Sequence, residues 1–574
     1  MSRIKRYREF FKRALFNLTI IFMIGVIARN PSQKTSAESW VENDYIGPTP
    51  MLKNIFNEQT VSQVIYVDIN RSNASNDNPG TEKLPLKNID KAARIALQNY
   101  KNEKSTKIIV FPGVYRESIS LTVDKPSQKT LIIFEAKEAG SVILSGSDLW
   151  QNWTPLPNAN LYVHDWPYNW GVSDNPWPDS IDLEPIVLRR EMIFANNNLL
   201  RQRTSLSEVS EGDFYVSEED KKVYIHPSSK IHENIENIKV EVAIRKNLFF
   251  ARGINNLVVR GFKFHHANSE FFRTPAVAIR NAKNILIEND EFSWNNTVGL
   301  QIAQCENVIV KNIKANNNGI AGITGNRLTN VLYEDVESSY NNWRGDWGEF
   351  YRWAPGQKFL FLRNATFRRY RAVGNRAAGL WLDFDNAGVR IDESYICNNF
   401  HAGLYIEASR HIHVTNTTIC NNQANPNSPF HHPGLLGTTS SHVVLENNKI
   451  CGNDRSQIKI QVVKDTGPRE VFNWETEETY LLKSEYWVIR NNLIMANDKE
   501  QMLIYLQQDL DDFSKTLVSE GNFWYNPENK RVFQIYKNRP WLSQKNFEEW
   551  KILTNQDQDS VFGATDSEFQ CGSS

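Results

Sequence analysis

The chain has 574 residues, with 65 Lys and Arg against 66 Asp and Glu, and a formal net charge of -1. That balance excludes nucleic acid as the main partner, because backbone phosphates demand a basic face. Five cysteines do not make a disulfide framework, and the sequence holds no phosphate-cradling glycine loop, no nucleophilic triad and no thiol-rich metal motif.

Arg3, Lys5, Arg6, Arg8, Lys12 and Arg13 form a basic flank before an apolar run at 15–28. The run is about 14 residues long, which suits the apolar region of a signal peptide and is short for a full membrane span. Val26-Ile27-Ala28 is an acceptable cleavage site; uncut, the segment 1–28 is an anchor with its basic residues inside. Either way the body is expected outside the cytoplasm, as a secreted, periplasmic or cell-envelope protein that touches membrane only through this segment. Residues 29–60 are polar and read as a linker.

Residues 61–149 open with an apolar strand, Val64-Ile65-Tyr66-Val67-Asp68, and a turn-rich loop at 73–80. Residues 89–97 have helical apolar spacing, with Asn88 as N-cap. Lys107-Ile108-Ile109-Val110-Phe111 is a strand, turned into the next by Pro112-Gly113. A short helix here covers the open end of a stack of coils, which otherwise exposes a pairing edge. Residues 150–240 break the rhythm with Trp150, Trp153, Trp166, Trp170 and Trp177, then a hairpin pairing Phe214-Tyr215-Val216 with Lys222-Val223-Tyr224-Ile225. This stretch is expected to be an inserted β-rich subdomain.

Between 241 and 525 one phrase recurs: Asn296-Thr297-Val298-Gly299-Leu300, Asn318-Gly319-Ile320-Ala321-Gly322-Ile323, Asn375-Arg376-Ala377-Ala378-Gly379-Leu380 and Asn399-Phe400-His401-Ala402-Gly403-Leu404. The spacing is roughly 23 residues or a small multiple, the mark of a solenoid. Three short strands and their turns fill one such unit, so the expected fold is all-β, a parallel β-helix. The turn asparagines read as an Asn ladder satisfying backbone groups along the stack. Cys397, Cys420 and Cys451 occupy matching phrases and predict a ladder of buried free thiols. Two loop insertions interrupt the coils, at 343–357 and 424–440, and residues 526–574 close the chain. Trp (16), Tyr (20) and Phe (30) are abundant. They point equally to sugar-stacking surfaces and to loops packed on the solenoid.

The order Tyr66-Val67-Asp68, Asn78-Pro79-Gly80-Thr81, helix, Pro112-Gly113-Val114-Tyr115-Arg116-Glu117 resembles the start of the right-handed parallel β-helix, pectate-lyase-like superfamily. Leu144-Ser145-Gly146-Ser147-Asp148, Asn256-Leu257-Val258-Val259-Arg260-Gly261-Phe262 and the closing Phe547-Glu548-Glu549-Trp550 add to the likeness, which covers about residues 64 to 562. It implies a right-handed solenoid with an N-terminal capping helix and an inserted β-rich subdomain, and a carbohydrate partner. The superfamily spans several chemistries.

Aligned on Gly379 and Gly403, Gly379-Leu380-Trp381-Leu382-Asp383-Phe384-Asp385 lies over Gly403-Leu404-Tyr405-Ile406-Glu407. Alternation turns Leu380, Leu382 and Phe384 inward, and Trp381, Asp383 and Asp385 outward beside Tyr405 and Glu407. Stacked strands sit about 4.8 Å apart, so Asp383 and Glu407 are neighbours, and Trp381 lies over Tyr405 as a ring pair that is a candidate for substrate contact. Two close carboxylates push one pKa up, giving the donor and nucleophile that glycoside hydrolysis uses. Asp385, diagonal to Glu407 at roughly 8 Å, suits an inverting arrangement instead. The equivalent residues of an earlier coil, Thr324 and Asn326, are not acidic. The pattern resembles β-helical glycoside hydrolases of β-xylosidase type, which implies Asp383 as nucleophile and Glu407 as acid/base.

In the first insertion Trp343, Arg344, Trp347, Glu349 and Trp353 are candidates for sugar contact, with Asp346 or Glu349 as alternative acids and Arg352 as a further basic residue. His401, and His431 or His432 in the second insertion, could reach the cleft. No compact basic constellation faces outward on these coils, and Lys358, Arg363 and Arg390 have no assigned place. Arg368, Arg369 and Arg371 read as a solvated edge. Three readings stand. One is a monomeric glycoside hydrolase acting on a polysaccharide or oligosaccharide without cofactor or metal. The second is a polysaccharide lyase or uronate epimerase, and the third a non-catalytic glycan-binding surface protein. Ca²⁺ held by the three acids is the alternative use of the carboxylates.

Overall fold

The structure is a computed structural model. It describes residues 56–571 apart from 158–159, 228–234, 236–237, 272–273, 352–355, 424–431, 463–467, 537–541 and 564–570. The segment expected to direct export, 1–28, and most of the 29–60 linker lie outside the described residues. Among the described residues no helix is long and apolar enough to cross a membrane.

Three stacks of parallel strands form the body. One runs from Ile119–Thr122 through Phe249–Arg252, Val277–Glu288 and the strands Leu380–Asp383, Leu404–Glu407, Leu435–Thr438, Ser456–Gln461 and Met502–Gln507. A second begins with Gln63–Val67 and Thr106–Val110 and carries Ala387–Asp392, Arg410–Thr415 and Ser441–Glu446. The third carries Arg371–Val373, Tyr395–Cys397, Thr418–Cys420 and Lys449–Cys451. Inward residues are the medium aliphatics of each strand. Leu300 stacks on Ile323, and Leu380, Leu404 and Leu435 stack in turn, all fully buried within a single continuous core.

The corners are held by side-chain amides. Asn295, Asn318, Asn341, Asn375, Asn399, Asn422 and Asn453 pass hydrogen bonds from each Nδ2 to the next Oδ1 at 2.9–3.1 Å. Each also donates to a backbone carbonyl, so the tight turns leave no amide orphaned. The ladder includes Asn295 rather than Asn296, which faces Arg344 and the backbone of Arg189.

A helix, Ile89–Lys101, buries Ile89, Ala92, Ala93, Ala96 and Tyr100 in the core beside the first strands. Its N-terminal amides are satisfied by Glu117 rather than by Asn88. The Trp-rich insertion leaves the solenoid at Ser147–Trp150 and returns through Val240–Ala243, forming a four-stranded and a five-stranded sheet around its own core. Within it Asp213–Ser217 pairs antiparallel with Lys222–His226. Near the other end Phe547–Thr554 is a helix with an Asn546/Glu549 capping box, its Trp550 fully buried and bonded to Asp557.

The cysteine expectation is corrected. Cys397 and Cys420 form a disulfide with Cα atoms 4.6 Å apart, and Cys451 pairs with Cys571 from the chain's end. The in-register stack places thiols on adjacent coils within bonding reach, and a sulfur that faces another sulfur can oxidise rather than merely pack. Only Cys305 is free, and it is buried.

Candidate active site

Trp381 pairs in register with Tyr405, and Asp383 with Glu407. Trp381 and Tyr405 stack at 4.9 Å and 17°. Both acids sit at the end of their strands on the outward face, where parallel neighbours are about 4.8 Å apart. Asp383 is nearly buried, and its Oδ1 has no hydrogen-bond partner. The indole Nε1 of Trp381 and the hydroxyl of Thr324 on the same face are likewise buried and unmet. Buried polar atoms normally find partners, and here three without one among the described residues share one surface.

Of the basic residues without an assigned place, Lys358 is here, while Arg363 holds Asp385 and Arg390 lies near Asp392; Arg469, which the sequence did not single out, joins Lys358. Lys358 lies in register beside Trp381; its ammonium is 2.6 Å from Asp383 Oδ2 and 3.8 Å from the Trp381 ring centre. Arg469, on a hairpin of Arg469–Phe472 and Thr479–Leu482, donates to Glu407 Oε1 at 2.8 Å. The expectation that no compact basic constellation faces outward is therefore corrected. Lys358 was hidden because the insertion before it obscured its coil, and Arg469 because its hairpin belongs to no repeat.

Burial and the charge of Asp383 hold the Glu407 carboxyl above its usual range, outweighing the opposite pull of Arg469 and Lys358. Burial disfavours charge on Arg469, but Glu407 and Asp383 more than offset it and raise its pKa. Burial, and after it the charge of Glu407, pushes the Tyr405 hydroxyl well above its usual range.

Asp385 does not join the pair. Phe384 and Asp385 both take left-handed backbone angles, φ 58° and 54°, so the strand alternation stops at Asp383. Phe384 leaves the core for a cluster with Ala408, Val471 and Leu482. Asp385 turns down and is fully buried between Arg363 (2.5 Å), Arg410 (2.6 Å) and the Tyr480 hydroxyl (2.9 Å). It anchors the hairpin that carries Arg469. Among the described residues no group of three or more acids, histidines or cysteines is arranged to hold a metal ion.

Trp381 is 3% exposed, with Lys358 over one ring face and Tyr405 stacked on the other, so its faces offer no platform for a sugar. His401 is buried, accepts at Nδ1 from the Ala402 amide, and stacks on Tyr405 and on His432 at 3.8 Å, forming a wall beside the pair. His431 lies outside the described residues.

The first insertion is mostly not a sugar-binding loop. Trp343–Trp347 is a helix in which Arg344 is wholly buried. Arg344 donates to Asn296, Gln202 and the Glu191 carbonyl, with Trp343 and Trp347 against its guanidinium. Burial pulls its pKa down to about 9. Trp343 is 5% exposed and bonded to the Asn317 carbonyl. This insertion fastens the Trp-rich subdomain to the solenoid. Asp346 pairs with Arg376 and Tyr351, Glu349 is exposed, and Arg352 and Trp353 lie outside the described residues. The second insertion is shorter than expected, since Leu435–Thr438 is a regular strand of the stack. Arg368 and Arg369 pair with Glu334 and Asp335 along another sheet's edge.

Among solved structures, that of XylC in complex with xylose matches 87% of this chain and 86% of its own, at 15% identity and a TM-score of 0.62. The fold is the right-handed parallel β-helix. A glycoside hydrolase (11% identity, 81% and 97% covered, TM-score 0.43) is more distantly similar. So is the A-module of mannuronan C-5 epimerase AlgE6 of Azotobacter vinelandii (12% identity, 87% and 100% covered, TM-score 0.44). No family model and no curated protein matches the sequence.

Proposed function

We propose that this is a carbohydrate-active enzyme, a glycoside hydrolase working through Asp383 and Glu407. The observation that carries the reading is the in-register pair, with the Glu407 carboxyl raised above its usual range by burial and by the charge of Asp383, and one Asp383 oxygen without a partner among the described residues. A spacing of about 5 Å between carboxyl groups suits double displacement. In that course Glu407 gives its proton to the leaving oxygen while Asp383 attacks the anomeric carbon and forms a glycosyl ester. Glu407 then takes a proton from water, which displaces Asp383. Arg469 eases the deprotonated stage of Glu407, and Lys358 orients Asp383. Two disulfides suit an oxidising compartment, which supports the reading of an exported chain.

A polysaccharide lyase or epimerase is the second reading, favoured by Lys358 and Arg469, since anion-neutralising cations serve proton abstraction beside a carboxylate. The test incubates the purified protein with xylosides, because the XylC structure contains xylose, and with neutral and uronate-rich polysaccharides. New reducing ends without unsaturated-uronate absorbance, lost in Glu407→Gln, are expected. Absorbance would replace the hydrolase with a lyase, an altered uronate epimer ratio by proton NMR without new ends would replace it with an epimerase, and no change of any of these kinds would leave a binding protein.

A further inference from the structure

Beyond Glu407 the outward face of the same sheet loses its acids. In register with Asp383 and Glu407 follow Thr438, Gln461 and Gln507. The parallel row runs Trp381, Tyr405, Leu436, Lys459, Tyr505, then Gln534. Lys459 is therefore a half-buried cation in a strip without carboxylates. Its amine rests 4.9 Å from the Tyr505 ring centre. The other cations of the face are spoken for, Lys358 by Asp383 and Arg469 by Glu407. Burial alone draws the Lys459 pKa down to about 8. Among the described residues no carboxylate pairs with this ammonium, and keeping a desolvated charge without one is unfavourable unless a partner arrives.

Resting on the hydrolase reading, we propose that Lys459 receives an anionic substituent, carboxylate or sulfate, of the bound glycan. Two strand spacings, about 10 Å, separate it from Tyr405, within the reach of a short oligosaccharide seated at Asp383 and Glu407. The substrate class is then an acidic glycan whose charged group lies on the Lys459 side of the cleaved bond. Gln461, already bonded to Thr438, and Gln507 supply neutral polar contacts along the same path.

The test measures affinity of the full chain by calorimetry for four probes. These are glucuronate-bearing xylan oligosaccharides, the same with carboxyls reduced, sulfated galactan oligosaccharides, and the same desulfated. One acidic probe is expected to bind about tenfold or more tighter than its neutral partner, as a charge-assisted hydrogen bond implies. Which acidic probe does so separates uronate from sulfate. Lys459→Met is expected to erase the ratio and Lys459→Arg to keep it, with far-ultraviolet dichroism showing both folded. Equal affinity for acidic and neutral partners, or a ratio untouched by Lys459→Met, overturns this inference while leaving the hydrolase reading intact. No binding or cleavage of any probe overturns both.

Discussion

Burial and Asp383 raise the Glu407 pKa, and Lys358 is among the charges that pull it back down. Lys358→Met removes that influence, so the Glu407 pKa rises further. A general acid works below its pKa, and rate is lost as pH rises through it. The alkaline limb of the pH–rate profile should therefore move to higher pH in Lys358→Met; an unmoved limb would show that Lys358 does not tune the acid. Glu407→Gln should lower turnover by about 10²- to 10⁴-fold, the usual contribution of a positioned acid or base, read on the same substrate. At this scale the Asp383–Glu407 pair was legible, since aligning two glycines fixes strand register. Asp385 was not, because period-two alternation cannot foresee that Phe384 and Asp385 turn left-handed.

The corner ladder and the inserted segments show what elements contribute. Asn341 receives from both the backbone amide and Nδ2 of Asn318, and gives to Asn375 and to the Ala315 carbonyl, all without solvent. Asn341→Ala strands those neighbours, and each buried unmet group costs about 1–3 kcal/mol. A drop of that order in denaturant-unfolding free energy is expected, with the fold kept. An unchanged midpoint would mean the ladder bears no weight at this coil. The ladder was visible in sequence as recurring Asn, although the phrase beginning at Asn296 pointed one residue past Asn295. The Trp343–Gln357 insertion misled by its composition. Tryptophan beside arginine reads alike for a sugar cleft and for a sealed latch, and only the position of Gln202 and Glu191 across from Arg344 decides between them.

Across the whole molecule two devices bind distant segments. The Cys451–Cys571 disulfide ties the end of the chain to a late coil across a separation of 120 residues. Cys571→Ser should cost about 2–5 kcal/mol of stability, measured against the unreduced parent by thermal or denaturant unfolding. His266 stacks on Phe194 of the inserted subdomain and shares a hydrogen bond with Ser147. Burial, more than its charged neighbours, depresses its pKa from 6.5 to about 3. The unfolded chain takes up this proton first, so stability present above pH 6.5 is lost as pH falls toward about 3. His266→Gln should flatten that part of the acid-unfolding profile; an identical slope would show that other groups govern it. By itself the sequence determined the architecture, because hydrophobic period, glycine alignment and corner asparagines repeat with each coil and need no distant partner. Only the tertiary structure decided which thiols join, that Arg344 is walled in, and that Lys358 and Arg469 face the carboxylates. Those outcomes depend on where non-repeating insertions land on the solenoid, and local pattern carries no information about that contact.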